Sequence, residues 1–258
     1  KFSDFRGLKI IGQYPKKIHF KGLLKDFSNF EEISQNWINS QNKINSDKKL
    51  KFFKTHHSLC NYKGHFFTNT NNTLGAIYLI RDPRNVLISI FNHFSKKNYN
   101  EAKEFLFDEN RVIGLNKKIN NNDENLLDNE IITIISSWKT HYRSWKLLKR
   151  NYLLIKYEDL LSKPQEEFSK ISDYISFFTK MRFSNDLIEK AINENSFKNL
   201  SDREERFGFD EAPIDKSGKK KKFFNLGPKN DWESMLNKQM IDEINKKFQI
   251  ELEELNYL

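Results

Sequence analysis

The sequence predicts an α/β domain with a central parallel sheet flanked by helices, and three observations carry that expectation. "LGAIYLIRD" (74 to 82) is the near-continuous apolar run of a strand buried on both faces. Asp82 and Pro83 follow at once as an N-cap and first-turn pair, with Val86, Leu87, Ile90 and Phe91 recurring at helical spacing. "YLLIKYEDL" (152 to 160) then returns to a strand pattern after a helical stretch, and this alternation of strand and helix is the signature of a sheet with parallel crossovers. Neither an internal repeat nor a linker interrupts it, so a single domain over residues 1–258 is expected.

Taken in order, residues 1 to 48 scatter short apolar groups among polar ones and read as turns with one or two short helices. "LKFFKTHH" (50 to 57) reads as a short strand, and the strand of 74 to 82 with its helix follows. The segment 96 to 128 is polar and Asn-rich, and "NKKINNNDEN" (116 to 125) reads as a surface loop or a lid. A long amphipathic helix is expected over about 129 to 149, carrying Ile131, Ile134, Ile135, Trp138 and Trp145. Beyond the strand at 152, "KPQEEFSKISDYISFF" and "SNDLIEKAINENSF" read as two helices. The basic loop "GKKKKFFNLGPKND" then leads to one terminal helix from Trp232.

Composition narrows the classes of function. Lys and Arg number 44 against 35 Asp and Glu, a formal charge of +9 that would attract phosphates, nucleic acid or an anionic surface without choosing among them. Most of the excess is lysine in a chain crowded with Asn, Ile and 23 Phe, which points to general compositional bias more than to a basic interface. One cysteine, Cys60, excludes an internal disulfide and a multi-cysteine zinc site, and a reducing, cytoplasmic setting is expected. No stretch approaches the roughly 18 apolar residues of a membrane span. The chain opens on Lys1 and Phe2 without Met, as a fragment or processed product would.

Two segments carry candidate chemistry. Alternate residues of a strand share a face, so Lys54 and His56 point one way and Thr55 and His57 the other. A histidine titrating near neutrality can take a proton from a hydroxyl, and a lysine beside it can stabilise charge on a leaving oxygen. The same pattern suits a solvated strand end, and the diverging histidine pair makes a poor metal site. In "LIRDPRNVLIS", Arg81 closes a strand where open α/β sheets bind ligands, and Ser89 lies two turns along the next helix, an arrangement suited to a phosphate. Asp82 as a simple cap, with Arg81 and Arg84 ion-paired or solvated, fits that segment equally well.

Six collinear segments over about residues 50 to 235 resemble the sulfotransferase family that uses 3'-phosphoadenosine 5'-phosphosulfate (PAPS). "KTH" resembles its catalytic strand end and "RDPRNVLIS" its 3'-phosphate motif. "SSWKTHYRSW" (136 to 145) is similar to its Trp and His helix, "LIKYEDL" to its Tyr-Glu-Asp strand, "SFKNLSDREERFGF" (196 to 209) to the segment after it, and "FFNLGPKNDW" (223 to 232) to its late Gly and Asp-Trp loop. The resemblance implies a P-loop NTPase-like fold and sulfuryl transfer from PAPS to a hydroxyl or amine of a small-molecule or carbohydrate-like acceptor, with no metal and no nucleic-acid partner. It implies His56 as general base, Lys54 on the transferred group, Arg81 and Ser89 on the 3'-phosphate, Tyr157 at the adenine edge, Phe197 stacked on adenine and Gly227 in the late cofactor loop.

Two departures stand out. A Gly- or Ser/Thr-rich phosphosulfate loop is not visible, since "QYPKKIHF" has Tyr-Pro-Lys without the small residues that let backbone N–H groups approach an anion. The first strand and that loop are therefore expected upstream of residue 1, and the chain as given is expected to be inactive or nearly so. In the late loop, Asn225, Leu226 and Gly227 stand where the family carries Arg-Lys-Gly, and Lys219 to Lys222 form either a substitute charge or a solvated run. The competing readings are a P-loop kinase-like phosphotransferase, which would need a Gly-Lys-Ser/Thr loop, and a non-catalytic basic module for nucleotides or nucleic acid. His141, Trp138 and Trp145 read as packing, Glu158 and Asp159 as braces of a turn, and Cys60 as inert. The acceptor and the oligomeric state leave no signal in the sequence.

Overall fold

The computed structural model describes residues 9–114, 131–209, 211–215 and 217–258, and the expected lid at 116 to 125 lies outside them. The chain divides into two compact units, one drawn from residues up to 76 and from 109–152, the other from 77–108 and 153–258.

In the first unit, β1 (Lys9–Gln13) runs parallel to β2 (Lys51–Lys54), with a register shift between Ile10 and Gly12. The sequence reading expected only turns and short helices before residue 48. A five-residue strand interrupted by such a shift is too short and irregular to give a periodic signal, although Ile10 and Ile11 supply its β-branched pair. The expected short helices are α1 (Phe30–Gln35) and α2 (Trp37–Ile44), and the Asn29 side chain caps α1 by accepting the N–H groups of Glu31 and Glu32. A short hairpin follows, β3 (Asn61–Tyr62) with β4 (His65–Phe66). Trp37, Phe67, Tyr142 and Trp145 are buried in this unit's core. Gln41 satisfies polar atoms there, donating to the Phe67 carbonyl at 2.6 Å and accepting from the Thr68 hydroxyl at 2.6 Å.

The long helix expected over 129 to 149 is replaced by two shorter elements. Thr133–Ile134 forms a strand (β7) antiparallel to Val112–Ile113 (β6), and α5 spans only Trp138–Lys146. The run Ile131 to Ile135 is wholly β-branched, Ser136 takes φ +56°, and the Ser137 hydroxyl caps α5 by accepting the Thr140 N–H. Propensity and capping together outweigh the helical spacing.

In the second unit, β5 (Ala76–Ile80) pairs with β8 (Tyr152–Lys156). β5 is not buried on both faces: Ile80 is 2 % exposed, but Ile77 and Leu79 are 38 % and 56 % exposed. Its side chains alternate because only one face of this strand is covered. Asp82 and Pro83 open α3 (Pro83–His93) as expected, the Asp82 carboxylate accepting the Arg84 N–H at 2.8 Å. Among the described residues, six further α-helices precede the last: α4 (Tyr99–Phe107), α6 (Tyr157–Ser162), α7 (Pro164–Thr179), α8 (Asn185–Glu194), α9 (Phe197–Phe207) and α10 (Trp232–Met235). The terminal helix α11 (Lys238–Glu254) is separate from α10, because Asn237 caps it by accepting the Met240 N–H. Among the described residues, no helix is long and apolar enough to cross a membrane.

Candidate active site

β2 stops at Lys54, and Thr55 to His57 continue from its end. Lys54 and His56 are both exposed while His57 is fully buried, so the expected division of faces holds. His57 stacks on Phe67 at a centroid distance of 4.1 Å and meets Trp37 edge-on at 4.9 Å. Its Nδ1 lies 2.8 Å from the Ser58 carbonyl, which can only accept, so the proton sits on Nδ1. Burial pushes its pKa down to about 3, leaving a neutral core ring. Cys60 is 3.9 Å from the same nitrogen, and burial pushes its thiol up to about 11, which makes it inert.

His141 and Trp145, expected to serve packing, fasten from α5 the segment that carries His56. His141 Nε2 donates to the His56 carbonyl at 3.2 Å, and Trp145 Nε1 donates to the His57 carbonyl at 3.0 Å. The Ser144 hydroxyl accepts the Leu59 N–H at 3.0 Å. Burial lowers His141 to about 4, so this bond is made by a neutral imidazole. Three donors and acceptors spaced three and one apart on one helix face were the signal, readable only once residues 56 to 59 were known to lie against it.

The turn after β1 stands beside this strand end, since the Tyr14 N–H donates to the Lys54 carbonyl at 2.9 Å. A strand and turn preceding the Lys54 strand are thus present within the chain. The turn is not an open anion cradle: the Lys16 N–H donates to His19 Nδ1 at 3.0 Å, and burial with the nearby Lys16 lowers His19 to about 4. A neutral His19 keeps that acceptor at every ordinary pH.

In the second unit, Arg81 follows β5 and its guanidinium lies 4.3 Å above the Tyr157 ring, a cation–π contact. Tyr157 belongs to the first turn of α6 and not to a strand, because the chain turns helical directly after Lys156. Ser89 is half-buried on α3, and Asn230, which the sequence reading did not single out, donates to its hydroxyl at 3.1 Å and to the Asn85 carbonyl at 3.0 Å. Arg84 is turned inward. It is 3 % exposed, forks onto Asp82, lies 3.8 Å over the Trp232 ring and donates to the Tyr257 carbonyl.

Phe197 opens α9 and touches Gly227: a Cβ on Gly227 would lie 2.2 Å from the Phe197 ring. Two turns along α9, Glu204 accepts the N–H groups of Phe223 and Phe224 and fixes the loop leading to Gly227. Lys221 donates to the Asn92 carbonyl at 2.8 Å, capping the end of α3, while Lys219, Lys220 and Lys222 are exposed.

Comparison with known proteins follows the same lines. The family model described as Sulfotransferase domain matches residues 7–256. Among solved structures, mouse sulfotransferase SULT7A1 complexed with PAP is 15 % identical with a TM-score of 0.58, over 97 % of this chain and 77 % of that one. A retinol dehydratase in complex with retinol and PAP is 18 % identical with a TM-score of 0.53, over 80 % of this chain and 54 % of that one, so the match spans about half its length. No curated protein matches the chain by sequence. The fold shared with these structures is the P-loop NTPase-like one of sulfotransferases, as expected from the motifs.

Proposed function

The chain belongs to the sulfotransferase domain family, and on that premise we propose that it transfers a sulfuryl group from PAPS to a hydroxyl or amine, acting as one domain in the cytoplasm. The observation that carries the reading is the pairing of an exposed lysine and an exposed histidine at one strand end, with the neighbouring histidine withdrawn into the core. His56 takes the proton of the attacking group as its oxygen or nitrogen bonds to sulfur. Lys54 stabilises the bridging oxygen as the bond between sulfur and the nucleotide's 5'-phosphate breaks. PAPS supplies the activated sulfuryl group, and because such transfer resembles phosphoryl transfer in relying on positioning and charge stabilisation, the base, the cation and the phosphate cradle are proposed to suffice without a metal.

The residues present fit the nucleotide unevenly. Arg81, held on Tyr157 beside α3, and Ser89 suit the 3'-phosphate, and Phe197 offers a ring for adenine. The turn Tyr14–Lys17 stands at the end of a strand parallel to β2, where a phosphosulfate loop belongs, but with its Lys16 N–H closed by His19. We therefore favour a degenerate member of the family over one that merely lacks the loop. The acceptor is proposed to be a small molecule or carbohydrate-like; the retinol held by the retinol dehydratase illustrates the former class.

Calorimetry with adenosine 3',5'-bisphosphate, ADP and a short DNA tests the nucleotide site. Selective binding of the bisphosphate is expected, weakened about tenfold or more in Arg81→Ala, as for loss of a charged hydrogen bond. Equal binding of ADP, or an indifferent Arg81→Ala, would sink the assignment. The chain itself should turn over slowly or not at all. Opening the turn with Lys17→Ser and Ile18→Gly should raise transfer, and His56→Ala in that background should abolish it; retained transfer would remove His56 as the base.

A further inference from the structure

Glu158, in the first turn of α6, uses both oxygens within the second unit. Oε1 accepts the Asp82 N–H at 3.1 Å, and Oε2 accepts the Tyr257 phenol at 2.7 Å. The Asp82 N–H belongs to the peptide that follows Arg81, so this bond fixes the backbone from which the Arg81 side chain departs. Tyr157, the residue before Glu158, meanwhile supports the Arg81 guanidinium at 4.3 Å. One dipeptide thus grips Arg81 at its head and at its backbone.

Tyr257 is itself held by two further residues. Lys156 donates to the Leu255 carbonyl at 2.7 Å and lies 4.4 Å over the Tyr257 ring, and Arg84 donates to the Tyr257 carbonyl at 2.7 Å. A carboxylate in the residue next to Tyr157 would compete with a phosphate for the Arg81 guanidinium, and repel that phosphate, unless its charge is satisfied elsewhere. Here the phenol and the amide satisfy it, and burial beside Glu158 raises the Tyr257 pKa, so the phenol remains a donor.

We propose that Glu158 and Tyr257 are positioning residues for Arg81, setting its guanidinium for the 3'-phosphate of the nucleotide without touching that phosphate. The inference rests on the nucleotide reading given above. Its test compares adenosine 3',5'-bisphosphate with adenosine 5'-monophosphate, which lacks the 3'-phosphate, by calorimetry. Wild type should prefer the bisphosphate by about tenfold or more. Glu158→Ala should lose most of that preference with its monophosphate affinity unchanged. Glu158→Gln should keep it, because its amide can still accept from Asp82 and donate to the Tyr257 oxygen.

Tyr257→Phe removes one oxygen only and should lose part of the preference; if Glu158→Ala does not fold, this variant decides. A preference intact in both Tyr257→Phe and a folded Glu158→Ala would overturn the proposal. So would a parallel loss for both nucleotides, which marks a purely structural role. A wild type without preference would instead defeat the nucleotide reading itself, before any variant is made.

Discussion

Gly227 is held at φ +53° against the Phe197 ring, and both conditions bear on what may replace it. An L side chain is strained in that conformation, and its Cβ would enter the ring's space, so the ring must leave. Gly227→Ala should cost about 1–3 kcal/mol, as overpacking does, and should weaken bisphosphate binding because the proposed adenine wall moves. Thermal unfolding and calorimetry check the two effects together; an unchanged Tm with unchanged affinity would show that the ring has other room. Gly227 was singled out from its motif alone. The reason it must be glycine is a neighbour thirty residues earlier, which no local pattern contains.

At the scale of the element, α5 holds the segment of residues 56 to 59 by side chains from one face. Trp145→Phe would leave the His57 carbonyl, buried with its residue, without its donor, a loss worth about 1–3 kcal/mol. In the background of Lys17→Ser and Ile18→Gly, transfer should fall severalfold as the His56 segment loosens, while bisphosphate affinity stays constant. Urea unfolding with parallel binding and turnover measurements separates these, and a change in affinity alone would refute the role given to α5. Strong local signals were legible in the sequence: the strand that ends just before Arg81, the Asp82 and Pro83 helix start, and the exposure of Lys54 and His56. What escaped were decisions made by distant partners or by capping. β1 needed β2 beside it, the β-branched run at Ile131 needed Val112 and Ile113, and α5 needed Ser137 to begin where it does. Asn230, Glu158 and Tyr257 carry ordinary side chains whose work appears only in their contacts.

For the whole molecule, acid should act on one unit first. His19, His57 and His141 all lie in the unit that contains β2, with pKa values lowered by burial to about 4, 3 and 4 from an ordinary 6.5. Between about pH 6.5 and those values the unfolded chain binds protons that the folded chain refuses. The stability they contribute is therefore complete above pH 6.5 and declines as pH falls toward 4. Urea unfolding followed between pH 7 and 4 should show this decline, reported by the Trp37 and Trp145 fluorescence of that unit. His57→Leu, which cannot be protonated, should flatten part of it; an identical pH slope in the variant would contradict the account.

The inward turn of Arg84 has a consequence for how charge is distributed. "RDPR" carries two arginines, yet one is neutralised by Asp82 and closed over by Trp232, so its cation exerts little field outside the fold. With Asn225 and Leu226 in the late loop and Lys221 turned onto the end of α3, neither Arg84 nor Lys221 is directed to the proposed phosphate site, and Arg81 is the arginine that "RDPR" leaves for it. The formal surplus of +9 is thus carried mostly by the surface at large. Ligand selection at the proposed site would then rest on where the Arg81 guanidinium is aimed, with the molecule's overall potential governing how anions approach it.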